Sequence, residues 1–134
     1  MTVGMSGANT VNGWLNTLRG GGVGVSYTAP AVQAVRLYVG DPGAAGASNQ
    51  AGGDTTRKAI TFGAAAAGVL TMSSTPPVWT NGGVTEILTH IGVYDSTTVG
   101  NFMYSGLLSA AQSWASGNTF TLTALTVTIT PIAA

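Results

Sequence analysis

The chain has 134 residues, 45% of them hydrophobic and only 6% charged, with four basic and four acidic residues. This length and apolar content suffice for one domain with a buried core, and they exclude a generically disordered chain. A formal charge of zero argues against nucleic-acid binding, which needs clustered Lys and Arg.

Other absences in the sequence limit its class further. There is no Cys, so the chain has no disulfide framework and no thiolate metal site. No apolar run reaches the length of a spanning helix, and no signal peptide is evident at the N-terminus. We therefore expect no membrane partner and no secretion step.

The shortage of charge is itself a functional indication. A free monomer usually stays soluble through a mixed charged surface and a net charge away from zero. This chain has neither, so we expect a subunit of an assembly. We interpret residues 1–134 as a single domain, with an N-terminal helix or arm at 6–19 and a β domain at 32–134.

The first predicted element is an amphipathic helix near the N-terminus. Its apolar residues recur at i, i+3, i+4 and i+7, which is the spacing of one helix face: Val11, Trp14, Leu15 and Leu18. Glycines from Gly20 onward end it. Either this face packs over one end of a sheet, or the helix is an arm that reaches a neighbouring subunit with residues 20–24 as its hinge.

The next part of the chain predicts two strands and a long loop. The alternation places Val35, Leu37 and Val39 on one face of the first strand. The predicted order is a strand at 32–39, a turn at 40–43, an exposed loop at 43–54 and a strand at 57–62.

The remaining chain predicts further short strands. The predicted elements are a connection at 63–68, a short strand at 69–72, a turn at 81–83, a strand at 84–94 covered on both faces, its hairpin partner at 102–108, and an alternating tail at 119–130. In the tail the apolar parity changes after Phe120 and Leu122 to Leu125, Val127 and Ile129, which requires a bulge or corner near Ala124–Leu125. The fold class is therefore mainly β: an antiparallel β-sandwich or barrel of six to eight short strands with one N-terminal α-helix.

The polar residues do not form a catalytic constellation in the sequence. One His and four acids are scattered among strands and turns, so we expect no enzyme, no cofactor and no metal. We interpret His90 as a hydrogen-bonded, semi-buried strand residue. The carboxylates of Asp41, Asp54 and Asp95 lie in turns, where Asp bonds the backbone.

The three tryptophans and the Thr-rich tail are the remaining candidates for binding. Flat indole rings can stack on sugars, but core or interface packing explains these rings better. The tail has high β-propensity and no charge, so it is prone to pair at an edge, and pairing with a neighbouring subunit would use that property. The interface candidates are Val11, Trp14, Leu15, Leu18, Trp79 and Trp114.

Nearly the whole chain resembles a family of small bacteriophage virion proteins, often labelled tail-fibre-like or head-decoration proteins. The stretches that carry the resemblance are, in chain order, VNGWLNTLRGG, VRLYVGDPGAAGASNQ, RKAITFGAAAAGVLT, VTEILTHIGVYDSTTVGNFMYSGLL and SGNTFTLTALTVTIT. The chain departs from the family at Thr123–Leu125, where the family usually has a longer link that contains Gly.

The resemblance implies a structural virion protein without catalytic residues. We expect a capsid decoration protein on the capsid surface, which binds the major capsid protein and its own copies, as a trimer. A near-neutral surface of small residues suits that role, and the loop at 43–53 has no aromatic or charged residue. The alternative is a minor tail or tail-fibre module, whose partners would be tail proteins or a host surface glycan.

Overall fold

A computed structural model of the chain describes residues 3–18 and 29–129. The predicted end of the helix at Arg19 and the hinge at 20–24 lie outside these residues. The elements are β1 Val3–Met5, a π-helical turn Gly7–Val11, α1 Asn12–Leu18, β2 Gln33–Tyr38, β3 Lys58–Ile60, β4 Val69–Thr71, β5 Val78–Thr80, β6 Glu86–Tyr94, β7 Phe102–Trp114, β8 Thr119–Thr121 and β9 Thr126–Thr128. The fold is mainly β and antiparallel, as predicted, and the part of the chain described here forms no closed barrel.

The largest unit is a five-stranded antiparallel sheet in the order β1-β7-β6-β2-β3. The predicted hairpin of β6 and β7 is confirmed at its centre, where Val93 pairs with Tyr104. Strand β7 continues beyond its predicted end at Leu108 as far as Trp114. Because β7 is much longer than β1, only its first half has a strand on both sides.

Two smaller sheets close over this sheet, and each joins distant parts of the chain. Strand β4 pairs with β9, and β5 pairs with β8. The tail breaks at residues 122–125, between β8 and β9, so the predicted corner near Ala124–Leu125 is confirmed. Leu122 and Val127 are both buried despite their opposite parity, because the corner turns the second set back to the core.

The core lies where the three sheets meet. Its largest members are Trp79 and Trp114, packed with aliphatic residues of β2, β6 and β9 and of the segment between β8 and β9. The rings of Trp79 and Phe120 pack with centroids 6.1 Å apart. Burying one large apolar side chain stabilises a fold by about 1.5–3 kcal/mol, so this cluster is the main source of cohesion.

The ends of some predicted strands are more exposed than their apolar pattern indicates. The strand predicted at 84–94 starts at Glu86, and its two-sided burial holds only for Ile91–Tyr94. Ile87 is 57% exposed because no other described element covers the outer face of β6 there. Val39 and Ile129, which share the apolar parity of their strands, are exposed because each lies just past the end of its strand.

The N-terminal helix is attached to the sheet by the polar turn that precedes it. The Ser6 amide and the Thr10 hydroxyl both donate to the carbonyl of Met103, at 2.7 and 2.9 Å. This polar anchor lies before α1 and fixes only the π-helical turn. No residue of α1 is buried, and Leu15 and Leu18 are 57% and 82% exposed. Of the two alternatives, docking of this face on the sheet does not hold for Leu15 and Leu18, whereas Val11 and Trp14 are half-buried.

Candidate interaction surface

The predicted interface residues fall into two groups. Trp79 and Trp114 are fully buried, which agrees with the core alternative, and the indole N–H of Trp79 donates to the carbonyl of Thr56 at 3.1 Å. Val11 and Trp14 are half-buried on the N-terminal helix. Leu15 and Leu18 continue the same face into solvent, so the structure leaves an apolar helix face available for contact.

A second uncharged surface lies on the outer half of β7. A groove of about 480 Å³ runs between Leu108–Gln112 on one side and Thr119–Thr126 on the other. Its lining has hydroxyl, amide, aliphatic and one aromatic side chain, and no charged group. An uncharged lining cannot attract a partner through ion pairs.

This groove exists because β6 and β7 lose register. Leu88 pairs with Gln112 and His90 pairs with Leu107, so three residues of β6 face six residues of β7. The segment Leu108–Ala111 therefore bulges out of the sheet. Small residues at 109–111 are the only sign of this bulge in the sequence, and alternation alone does not predict it.

The loop predicted at 43–54 is exposed for most of its length, yet it is firmly held. The Glu86 carboxylate accepts hydrogen bonds from the amides of Gly52 and Gly53, at 3.1 and 2.8 Å. Ala51 and Gly46 are buried, contrary to the prediction of full exposure. The loop is thus bonded to the start of β6 through Glu86.

Two tyrosine hydroxyls hold the tip of this loop. Tyr38 and Tyr94 both approach the carbonyl of Gly46, at 2.7 and 3.0 Å. The guanidinium of Arg57 lies over the Tyr94 ring, 3.5 Å from its centroid, which is a cation–π contact. Burial, followed by the hydrogen bond to Tyr94, raises the pKa of Tyr38 above its ordinary value.

The predicted turn roles of the three aspartates are confirmed. Asp41 accepts from the Gly43 amide, Asp54 from the Thr56 amide and Asp95 from the Asn101 amide. Each carboxylate thereby closes a turn of its own segment.

The environment of Asp54 also shifts its titration. Partial burial raises the pKa of Asp54, but hydrogen bonds from the Thr56 hydroxyl and amide, together with Lys58 at 4.0 Å, outweigh this effect. The pKa of Asp54 is therefore lowered overall.

His90 takes the predicted structural role. It is half-buried in β6, and its Nδ1 lies 2.8 Å from the Thr89 hydroxyl. Among residues 3–18 and 29–129, no three His, Asp or Glu side chains lie close enough together to hold a metal ion. None of the helices described is long and apolar enough to cross a membrane.

Asn81 has a structural role beyond its predicted turn, and nothing in the sequence indicated it. Its Oδ1 accepts from the amides of Gly83 and Val84, at 2.9 and 3.0 Å. Its Nδ2 donates to the carbonyls of Val84 and Trp114. Asn81 thus joins the end of β5 to the start of β6 and the end of β7.

Comparison with known proteins places the chain in a family. A family model described as "Podophage GP4 fiber I protein gp80" matches residues 6–130. The chain belongs to this family, and it is a structural virion protein of a bacteriophage. This confirms the resemblance to tail-fibre-like virion proteins. No curated protein matches the chain.

Proposed function

We propose that the chain is a subunit of a virion fibre, joined to neighbouring virion proteins and to copies of itself through uncharged surfaces. The observation that carries this proposal is the exposed apolar face of the N-terminal helix, in a chain whose family is described as a fibre protein. The proposed role is structural, without catalysis or a cofactor.

The charge distribution supports assembly through apolar and backbone contacts. Among the residues that the structure describes, Lys58 and Asp54 form the one ion pair, at 4.0 Å, and it is local. Leu15, Leu18 and Ile87 are each more than half exposed. Leu15 and Leu18 share one helix face, and exposed apolar side chains that are grouped in this way are typical of an interaction surface.

The fixed loop supports a position in the body of the fibre. Receptor-binding tips usually present aromatic or charged side chains on loops, whereas residues 43–53 have neither. Glu86 and the two tyrosines hold this loop in place. A rigid, uncharged loop is suited to packing against an adjacent subunit.

The capsid decoration role is the second candidate, and the same fixed, neutral loop supports it. In that role the chain would bind the major capsid protein and its own copies, and would stabilise the assembled shell by mass action. The copy number differs strongly between the two roles, because a capsid carries many more decoration subunits than a virion carries fibre subunits.

The deciding experiment locates and counts the protein in purified virions. We expect immunogold electron microscopy to label fibres, and quantitative mass spectrometry to give a few tens of copies at most. Particles that lack the protein should keep their genome under osmotic shock and should adsorb poorly to cells. Label over the whole capsid, with hundreds of copies and easier genome loss, would contradict the fibre role and establish decoration.

A further inference from the structure

We propose that Arg36 and Arg57 form a binding site for a single phosphate group, on the face of the five-stranded sheet opposite the core. This inference goes beyond the fibre role and does not depend on it, because the argument uses only the strand pairing, the charges and the hydrogen bonds of the domain. Two arginines match the roughly two negative charges of one phosphate, whereas a nucleic acid would need a longer run of basic residues.

The strand pairing brings the two arginines together. Arg36 alternates in β2 with Val35 and Leu37, which are both buried in the core, so Arg36 lies on the opposite face of the sheet. Val35 pairs with Lys58 of β3. Because Arg36 follows the first of these residues and Arg57 precedes the second, the two arginines occupy the next facing positions. Side chains at facing positions of an antiparallel pair share one side of the sheet and interact.

Contacts on the same face hold the guanidinium of Arg57. It lies over the Tyr94 ring, 3.5 Å from the centroid, and its Nη1 donates to the Ser96 carbonyl at 3.3 Å. The Tyr94 hydroxyl lies 2.6 Å from that of Tyr38, which is two residues beyond Arg36 in β2. Burial raises the pKa of Tyr38, and the charges of Arg36 and Arg57 both oppose this rise. Both arginines therefore act on one hydroxyl of this face.

Neither arginine has an acidic partner in the part of the chain that the structure describes, where Lys58 and Asp54 form the one ion pair. The chain has four acidic side chains, and each is bonded elsewhere. Asp41, Asp54 and Asp95 accept from amides of their own turns, and Glu86 accepts from amides of the loop at 52–53. The counter-charge for the two arginines is therefore expected from another molecule.

Arg36 also has a donor available for such a ligand. Its Nε is removed from solvent and has no hydrogen-bond partner among the residues described. A buried donor that lacks a partner is costly, and phosphate oxygens are acceptors that guanidinium N–H groups bind strongly and in pairs. Arg57 uses one of its five N–H groups for the Ser96 carbonyl, so others remain for the same ligand. A phosphate between the arginines would also neutralise two like charges that otherwise repel.

Nuclear magnetic resonance of the full ¹⁵N-labelled chain tests the site, because the arginine Nε–Hε signals report on the two side chains directly. Inorganic phosphate, added at constant ionic strength, should shift the signals of Arg36 and Arg57 along one saturable binding curve. Acetate should bind several-fold more weakly, because it has a single charge and the Coulomb energy scales with charge. No saturable shift at either arginine, or equal affinity for acetate, would overturn the proposal.

A phosphate monoester distinguishes two sources of the group. Glycerol phosphate presents the same group attached to a larger molecule. Binding at least as tight as that of inorganic phosphate would identify a site for a phosphorylated partner. Binding of inorganic phosphate alone would identify a site for the free ion.

Three variants separate this site from a general effect of charge. Arg36→Gln and Arg57→Gln should each weaken phosphate binding about tenfold or more, as expected for a lost hydrogen bond to a charged group. Lys58→Gln is the matched control, because it removes the same charge one residue away from a side chain that already pairs with Asp54. It should change the affinity less than about twofold. Near-UV circular dichroism checks that the variants stay folded, and the titration of the natural chain does not depend on them. Equal weakening in all three variants would overturn the proposal.

Discussion

The hydroxyl oxygens of Tyr38 and Tyr94 lie 2.6 Å apart, and both also approach the Gly46 carbonyl. The two hydroxyl protons are shared among three short oxygen–oxygen contacts. In the contact between the two tyrosines, one hydroxyl therefore donates and the other accepts. Removing a proton from this pair leaves a buried phenolate beside another oxygen and a carbonyl. The arrangement therefore favours the neutral form of Tyr38.

Alkaline pH should weaken the fold through Tyr38. Its pKa is raised in the folded state, so its contribution to stability is complete below the unfolded pKa of about 10 and is lost as pH rises above it. Urea unfolding at several pH values between about 9 and 11 should show this loss, and Tyr38→Phe should reduce the slope. A slope that Tyr38→Phe leaves unchanged would contradict this role.

Replacing Asn81 should destabilise the domain strongly. Asn81→Ala leaves the amides of Gly83 and Val84 and the carbonyl of Trp114 without their partner, at an expected cost of about 2–4 kcal/mol. Asn118 supplies a matched control, because its side chain is exposed, and Asn118→Ala should change the free energy of unfolding by less than about 0.5 kcal/mol. Similar losses for the two variants would show that the Asn81 network adds little.

Substitutions at two glycines of the same loop allow the cost of a steric clash to be measured separately from the cost of backbone strain. Gly43 and Gly46 both have positive φ, at 72° and 67°. A Cβ at Gly46 would overlap the Phe102 ring and lie 2.7 Å from the Tyr94 hydroxyl, whereas at Gly43 its nearest neighbour is Ser48 Oγ at 3.4 Å.

We expect Gly43→Ala to cost about 1–2 kcal/mol through strain alone. Gly46→Ala should cost about 1–3 kcal/mol more, through overpacking. Thermal unfolding of the two variants measures the difference. Equal melting temperatures would mean that the loop tip moves away from the tyrosines without penalty.

Acid should remove the stability that Asp54 contributes. Because the pKa of Asp54 is lowered in the folded state, its contribution is present above the unfolded pKa of about 4 and is lost as pH falls through the folded pKa. Asp54→Asn should flatten the acid limb of a stability–pH curve. Thr56→Val, which removes the hydroxyl bond and keeps the amide bond, should flatten it less, and an unchanged limb in both variants would contradict this role.

The exposed helix face should matter for association and not for folding. Leu15→Gln combined with Leu18→Gln removes apolar area that the domain does not bury, so the free energy of unfolding should change by less than about 0.5 kcal/mol. The same variant should weaken incorporation into virions, measured by mass spectrometry.

The anchor residue Thr10 should behave in the opposite way. Thr10→Val removes the buried hydrogen bond to the Met103 carbonyl and should cost about 1–2 kcal/mol of stability. If the leucine variant unfolds as easily as the Thr10 variant, the helix face is packed within the domain.

The sequence predicted the strands better than it predicted their surroundings. Alternation defined β2, β6 and the tail, and the parity change located the corner before β9, because period-two burial acts on each strand locally. Exposure at Ile87 and Leu18 depends on whether another element covers them. The residue pattern of a single strand or helix does not contain that information. The β7 bulge and the Asn81 network were missed for the same reason, since both arise from pairing between distant segments.

The pairing of β4 with β9 and β5 with β8 has a consequence for the order of folding. Neither small sheet can form until its second strand has been synthesised, because Val69 pairs with Thr128 and Thr80 pairs with Thr119. During synthesis the middle of the chain therefore emerges from the ribosome without its partner strands, and contacts between such distant residues form slowly. A ribosome that stops before β8 releases a chain with the indole of Trp79 uncovered, so truncated products should be recognised by chaperones and proteases, and virions should receive only complete chains.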